Sequence, residues 1–124
     1  MACRFTELII DCIAPPTLAR FWAQVLGSEI IEEGDDEVVV AAPLGFGPNL
    51  LFLQVPEPKT TKNRLHIDLN ATDRDQAAEV ERIKALGATE VDIGQGTQTW
   101  VVLADPEGNE FCVLRTTVEP ASPT

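Results

Sequence analysis

Residues 7–27 and 66–87 carry the same features in the same order: a strand-like apolar run, a turn, an amphipathic stretch at helical spacing, and a glycine. Each copy continues into a short apolar run (37–42; 99–104), a proline-containing turn and a last apolar run (50–55; 110–115). A chain that repeats a half-domain is confined to pseudo-symmetric folds, because both halves must bury the same faces in the same sequence. Its 124 residues support one domain-sized core. The expected class is α+β: two βαβββ modules, 5–55 and 64–116, joined by a linker at 56–63. They are expected to form a curved mixed sheet with an open cup and helices on the outer face. The domain spans 1–118, and 119–124 reads as a disordered tail.

Local signals fill in this outline. In residues 6–13, Glu7, Ile9 and Asp11 alternate with Leu8, Ile10 and Cys12, the pattern of a half-buried strand. Pro15 and Pro16 suit the first turn of a helix, where a missing N–H does no harm. Leu18, Phe21, Trp22, Val25 and Leu26 then recur at helical spacing, and Gly27 supplies the stop. In the second copy, residues 64–70 read as a strand with Leu65, Ile67 and Leu69 on one side. Arg64, His66, Asp68 and Asn70 lie on the other. Asp73 with Gln76 predicts a capping box before a helix that buries Ala77, Val80, Ile83 and Leu86 and ends at Gly87. If the alternation holds, the sheet face away from the helices carries Glu7, Asp11, Gln54, Arg64, His66, Asp68 and Cys112. Polar side chains on a concave face are costly to desolvate, so the face points to a water-filled or ligand-filled hollow.

Charge narrows the partners. A net charge of −11 disfavours nucleic acid and anionic membrane, which both require a basic surface. Six acids fall within residues 29–37, while Lys59, Lys62 and Arg64 form the basic cluster. No apolar run is long enough to predict a transmembrane helix, and the opening residues do not resemble a secretory signal. The expectation is a cytoplasmic protein, in which Cys3, Cys12 and Cys112 are reduced thiols.

The doubled βαβββ order, the Phe21-Trp22…Leu26-Gly27 helix end and the turn Asp105-Pro106-Glu107-Gly108-Asn109 together resemble the vicinal oxygen chelate superfamily, and within it the glyoxalase-like domains. The stretch from Pro56 through Lys62 to His66 and Asp68 looks like one subgroup of these. The resemblance implies a divalent ion (zinc, nickel, manganese or iron) bound by one ligand from the first and last strands of each half. It carries those ligands onto Glu7, His66 and Cys112, with the fourth on Gln54 or Phe52. Cysteine stands where a glutamate is usual, which counts against glyoxalase I activity itself.

Each candidate has a plainer reading. His66 is a metal ligand or a general acid–base, or a hydrogen-bonded structural histidine. Glu7 is a ligand or base, or a carboxylate paired with Arg64 or His66. Cys112 reads most simply as a small buried hydrophobe. Arg64, Asp68, Phe52 and Trp100 are candidate ligand contacts, Trp100 by stacking on a flat molecule; the basic cluster otherwise pairs with neighbouring acids. The expected function is binding of a small oxygen-bearing organic molecule in the cup. Catalysis there is of the metal-assisted lyase, isomerase or dioxygenase kind, with Glu7 and His66 moving the proton. Two alternatives stand beside it: a metal-free binder or drug-sequestering protein of the bleomycin-resistance kind, and a non-catalytic interaction module. The resemblance also implies a homodimer.

Overall fold

A computed structural model describes residues 2–43, 47–94, 96 and 98–120. The expected tail at 119–124 lies outside the described residues from 121 onward. The chain divides into two compact units, one running to Pro58 and the other from Lys59 to Pro120.

The first unit contains β1 (Glu7–Cys12), α1 (Pro15–Leu26), β2 (Ile30–Glu33), β3 (Glu37–Val40) and β4 (Asn49–Gln54). Its sheet has the order β1-β4-β3-β2, with β1 parallel to β4 and the other pairs antiparallel. The second unit contains β5 (Ile67–Leu69), α2 (Gln76–Leu86), β6 (Thr89–Glu90), β7 (Val101–Ala104) and β8 (Glu110–Val113). Its sheet repeats the scheme as β5-β8-β7-β6, again with the first strand parallel to the last. The fold is α+β, and the internal repeat is a repeat of topology.

In the first unit α1 packs against β2, β3 and β4. Leu18, Phe21, Trp22 and Val25 are buried, as are Val38, Val40, Leu50 and Phe52. Phe21 and Trp22 meet edge-to-face with ring centroids 5.5 Å apart, a preferred aromatic geometry. Pro15 and Pro16 occupy the first helical turn, and Gly27 takes the left-handed conformation at φ 63°. That conformation strains any residue with a Cβ.

Two expectations in the second unit need correction. The strand expected over 64–70 is only Ile67–Leu69, so His66 lies just before it. Leu65, placed by alternation among the apolar residues, is 82% exposed. The cause is local: the segment ahead of the strand is tied elsewhere, as described below, and the chain joins the sheet late. The helix cap is Asp75, which accepts from the Ala78 N–H at 2.8 Å. Asp73 instead binds Arg74. Gln76, freed from a capping-box role, donates to the carbonyls of Thr99 and Val113 and fixes the helix start to the sheet. Within α2 it is Val80 and Ile83 that are buried.

Candidate functional site

Parallel pairing decides which side chains share a face. In the first unit Glu7 pairs with Asn49, Ile9 with Leu51, Asp11 with Leu53 and Cys12 with Gln54. Paired residues project to the same side of a sheet. Glu7, Ile9 and Asp11 therefore share the more exposed face with Asn49, Leu51 and Leu53. Gln54 and Phe52 lie on the opposite face with Cys12. Both expected positions for the fourth ligand are thus on the wrong side of the sheet from Glu7. Phe52 is fully buried, and the Gln54 amide donates to the Ile13 carbonyl at 3.3 Å. A register of odd with odd excludes residue 54 from Glu7's face.

The second unit gathers a polar cluster. Asp68 pairs with Cys112, and Cys112 with Val102, so these three form one row across the sheet face. Burial raises the Cys112 thiol above its ordinary range. The Asp68 carboxylate raises it further by charge and by accepting the thiol's hydrogen bond, while the Lys62 charge works the other way. At neutral pH the sulfur is a protonated donor rather than a thiolate. His66 Nε2 lies 3.0 Å from the Asn63 carbonyl oxygen and 3.3 Å from Lys62 Nζ. Lys62 Nζ is itself 3.5 Å from that carbonyl. Lys62 links two pairs: it lies beside His66, and its charge reaches Cys112, which is bonded to Asp68. Arg64 sits in an exposed bend before β5, off the strand face it was assigned to.

Beside this cluster lies a group that the sequence did not single out. Glu110, the first residue of β8, accepts from Lys59 Nζ at 2.6 Å and from the Asn63 N–H at 2.8 Å. The Asn63 amide also donates to Asn109 Oδ1. Residues 59–63 are thereby strapped to the start of β8, which is what delays entry into β5. Burial alone would raise the Glu110 carboxyl, but the Lys59 bond and the Asn63 N–H outweigh it and hold the group below its ordinary value. The available signal was alternation: Glu110 is two residues from Cys112 and falls on the same face. The expectation that the basic cluster pairs with acids holds for Lys59.

Trp100 lines a cavity of about 470 Å³ in the second unit, with Glu90, Asp92, Gln98, Val91 and Val102. Its two carboxylates are engaged: Glu90 with Lys84 at 3.5 Å and Asp92 with the Gly94 N–H. The Asp105 carboxylate, 4% exposed, accepts from the Glu107 and Asn109 N–H groups and from the Asn109 amide. The DPEGN turn is therefore structural, as its residue types foretell.

A family model for the glyoxalase-like domain matches residues 7–114. The chain belongs to the glyoxalase-like domain family. Solved structures with the same fold include a glyoxalase/bleomycin resistance protein/dioxygenase family enzyme from Burkholderia phytofirmans PsJN (17% identity, TM-score 0.71, 90% of this chain and 97% of that one). The fosfomycin resistance protein FosX from Listeria monocytogenes is similar at 17% identity and TM-score 0.71, over 95% of this chain and 94% of that one. A glutamate-to-glutamine variant of FosX, solved with Mn(II) and 1S,2S-dihydroxypropylphosphonic acid, matches at 17% identity and TM-score 0.67, over 95% and 93%. At such identities the likeness establishes the vicinal oxygen chelate fold. A search of curated proteins finds no match.

The side chains of this glyoxalase-like chain are a poor fit to a divalent ion. Among the described residues no three His, Cys, Asp or Glu side chains are grouped to hold one. The Cys112 thiol is committed to Asp68 by a hydrogen bond. What the cluster offers instead is hydrogen-bond donors and acceptors of both signs: an ammonium, an imidazole, a carboxylate and a thiol.

Proposed function

We propose that this glyoxalase-like protein binds a small oxygen-bearing organic molecule without a resident metal, through Lys62, His66 and Asp68 of the second unit. The observation that carries this reading is the Asp68–Cys112 pair. At the strand position where the family resemblance puts an anionic ligand, the chain has a neutral thiol already hydrogen-bonded to its neighbour. With the thiol already committed to it, the Asp68 carboxylate keeps acceptor capacity for the hydroxyl of an organic molecule. Trp100, also of the second unit, is the further contact we assign to the ligand. We also take the protein to act as a homodimer in the cytoplasm, on the family resemblance.

A metal-assisted lyase, isomerase or dioxygenase that uses His66 is the rival. It is favoured by the neighbour solved with Mn(II). Metal analysis of purified protein separates the two, combined with thermal shift against Zn(II), Ni(II), Mn(II) and Fe(II) for wild type and His66→Ala. We expect less than one metal per two chains and the same small ion response in both proteins. Stoichiometric metal that His66→Ala loses would replace our reading with the rival. Failure of every small molecule in a diverse thermal-shift library to stabilise the wild type would leave only a non-catalytic interaction module.

A further inference from the structure

The strap at 59–63 has a consequence for the imidazole. A carbonyl oxygen only accepts, so the 3.0 Å contact between Asn63 O and His66 Nε2, shorter than the 3.3 Å from Lys62 Nζ to the same nitrogen, favours the tautomer with the proton on Nε2. Lys62 Nζ, 3.3 Å from the same nitrogen and 3.5 Å from the same carbonyl, is then a second donor converging on Asn63 O rather than a donor to the ring. In the neutral imidazole the lone pair is therefore on Nδ1. Asn63 is held at its other end, because its N–H donates to Glu110 at 2.8 Å and its side-chain amide to Asn109 at 3.3 Å. Glu110 also holds Lys59, four residues earlier, at 2.6 Å. Its side chain is only 12% exposed, so water does not easily substitute for either bond.

We propose that Glu110 is a positioning residue for His66: by clamping Asn63 it aims the Asn63 carbonyl at Nε2, locks the Nε2–H tautomer and leaves Nδ1 as the atom that accepts from a ligand. Which ring nitrogen is metallated or protonated is commonly set by the bond the other one makes. Here that setting comes from a strap outside the strand, through a carboxylate that never touches the ring. The inference rests on the reading that His66 contacts the ligand, but its test needs no ligand.

His66 is the only histidine in the chain, so a single ¹⁵N-labelled imidazole is observed. Ring-nitrogen shifts are read by long-range ¹H–¹⁵N correlation above the pH at which the ring is neutral. The wild type should show widely separated nitrogens, with Nε2 pyrrole-like and Nδ1 pyridine-like. Glu110→Ala should narrow that separation as the ring begins to exchange between tautomers. It should also raise hydrogen exchange of the Asn63 N–H by about tenfold, the loss of one charge-assisted bond. Glu110→Gln, which keeps an acceptor for the Asn63 N–H, should restore most of the separation; if Glu110→Ala fails to fold, Lys59→Ala tests the same clamp from its other side. A pyrrole-like Nδ1 in the wild type would overturn the proposal. So would an unchanged separation in a variant whose Asn63 N–H exchanges freely. Normal tautomer locking with no effect of His66→Ala on ligand binding would instead leave the clamp standing and sink the functional reading.

Discussion

Single side chains set the chemistry of the second unit. Because the Asp68 carboxylate both repels the thiolate and accepts the thiol's proton, Asp68→Asn removes the charge while preserving shape. The pH profile of Cys112 alkylation, measured in a Cys3→Ser background to silence the exposed thiol, should move to lower pH. An unmoved profile would mean that burial alone holds the thiol protonated. Glu110 provides a second titration test. Its folded-state pKa is depressed, so its stabilisation is complete above the ordinary carboxylate range and is lost as pH falls through the folded value. Glu110→Gln should therefore lower the melting temperature at about pH 7 while narrowing the wild-type loss on acidification. Asp75 is a third case. Replacing this N-cap with alanine should cost about 1 kcal/mol in urea unfolding, whereas Asp73→Ala, which removes only an exposed pair with Arg74, should be nearly silent.

At the scale of strands and helices, register is the controlling fact. The pairing Glu7 with Asn49 sends Phe52 into the core and Leu51 to the opposite face. Phe52→Ala should destabilise by about 3–5 kcal/mol, and Gln54→Ala by less than about 1 kcal/mol. Equal losses at the two positions would contradict the register. The helices differ in how their ends are fixed. Gly27 holds a positive φ with open space around its Cα, so Gly27→Ala should lose about 1 kcal/mol through backbone strain alone. At the other helix Gln76 reaches two carbonyls on the far side of the turn, a tertiary anchor that no local cap rule foretells.

For the molecule as a whole, the excess of acid is the most general property. A net charge of −11 opposes compaction, and salt screens it within about 10 Å at 0.1 M. Raising NaCl from low to moderate concentration should therefore raise the melting temperature; a decrease would mean that specific pairs such as Lys59–Glu110 outweigh general repulsion. The α+β class, the repeated topology and most element positions were legible in the sequence because periodicity and Gly/Pro punctuation are local. The site was legible only in part. Alternation correctly put Asp68 and Cys112 on one face, since both sit within paired strands. It misplaced Gln54, because parity across a parallel pair depends on a register that no single strand encodes. It misread residues 64–66 because a long-range bond, Asn63 to Glu110, competes with the strand there.

Each unit joins its first strand to its last, in parallel. On the ribosome, β1 therefore emerges some forty residues before β4, the strand it pairs with. At elongation rates of about 5–20 residues per second, residues 7–12, with Ile9 uncovered, wait on the order of seconds as a nascent apolar segment. The stretch most exposed to chaperone capture or misassembly is thus the very one that carries Glu7. The protein's yield in cells should depend on how quickly translation reaches Gln54.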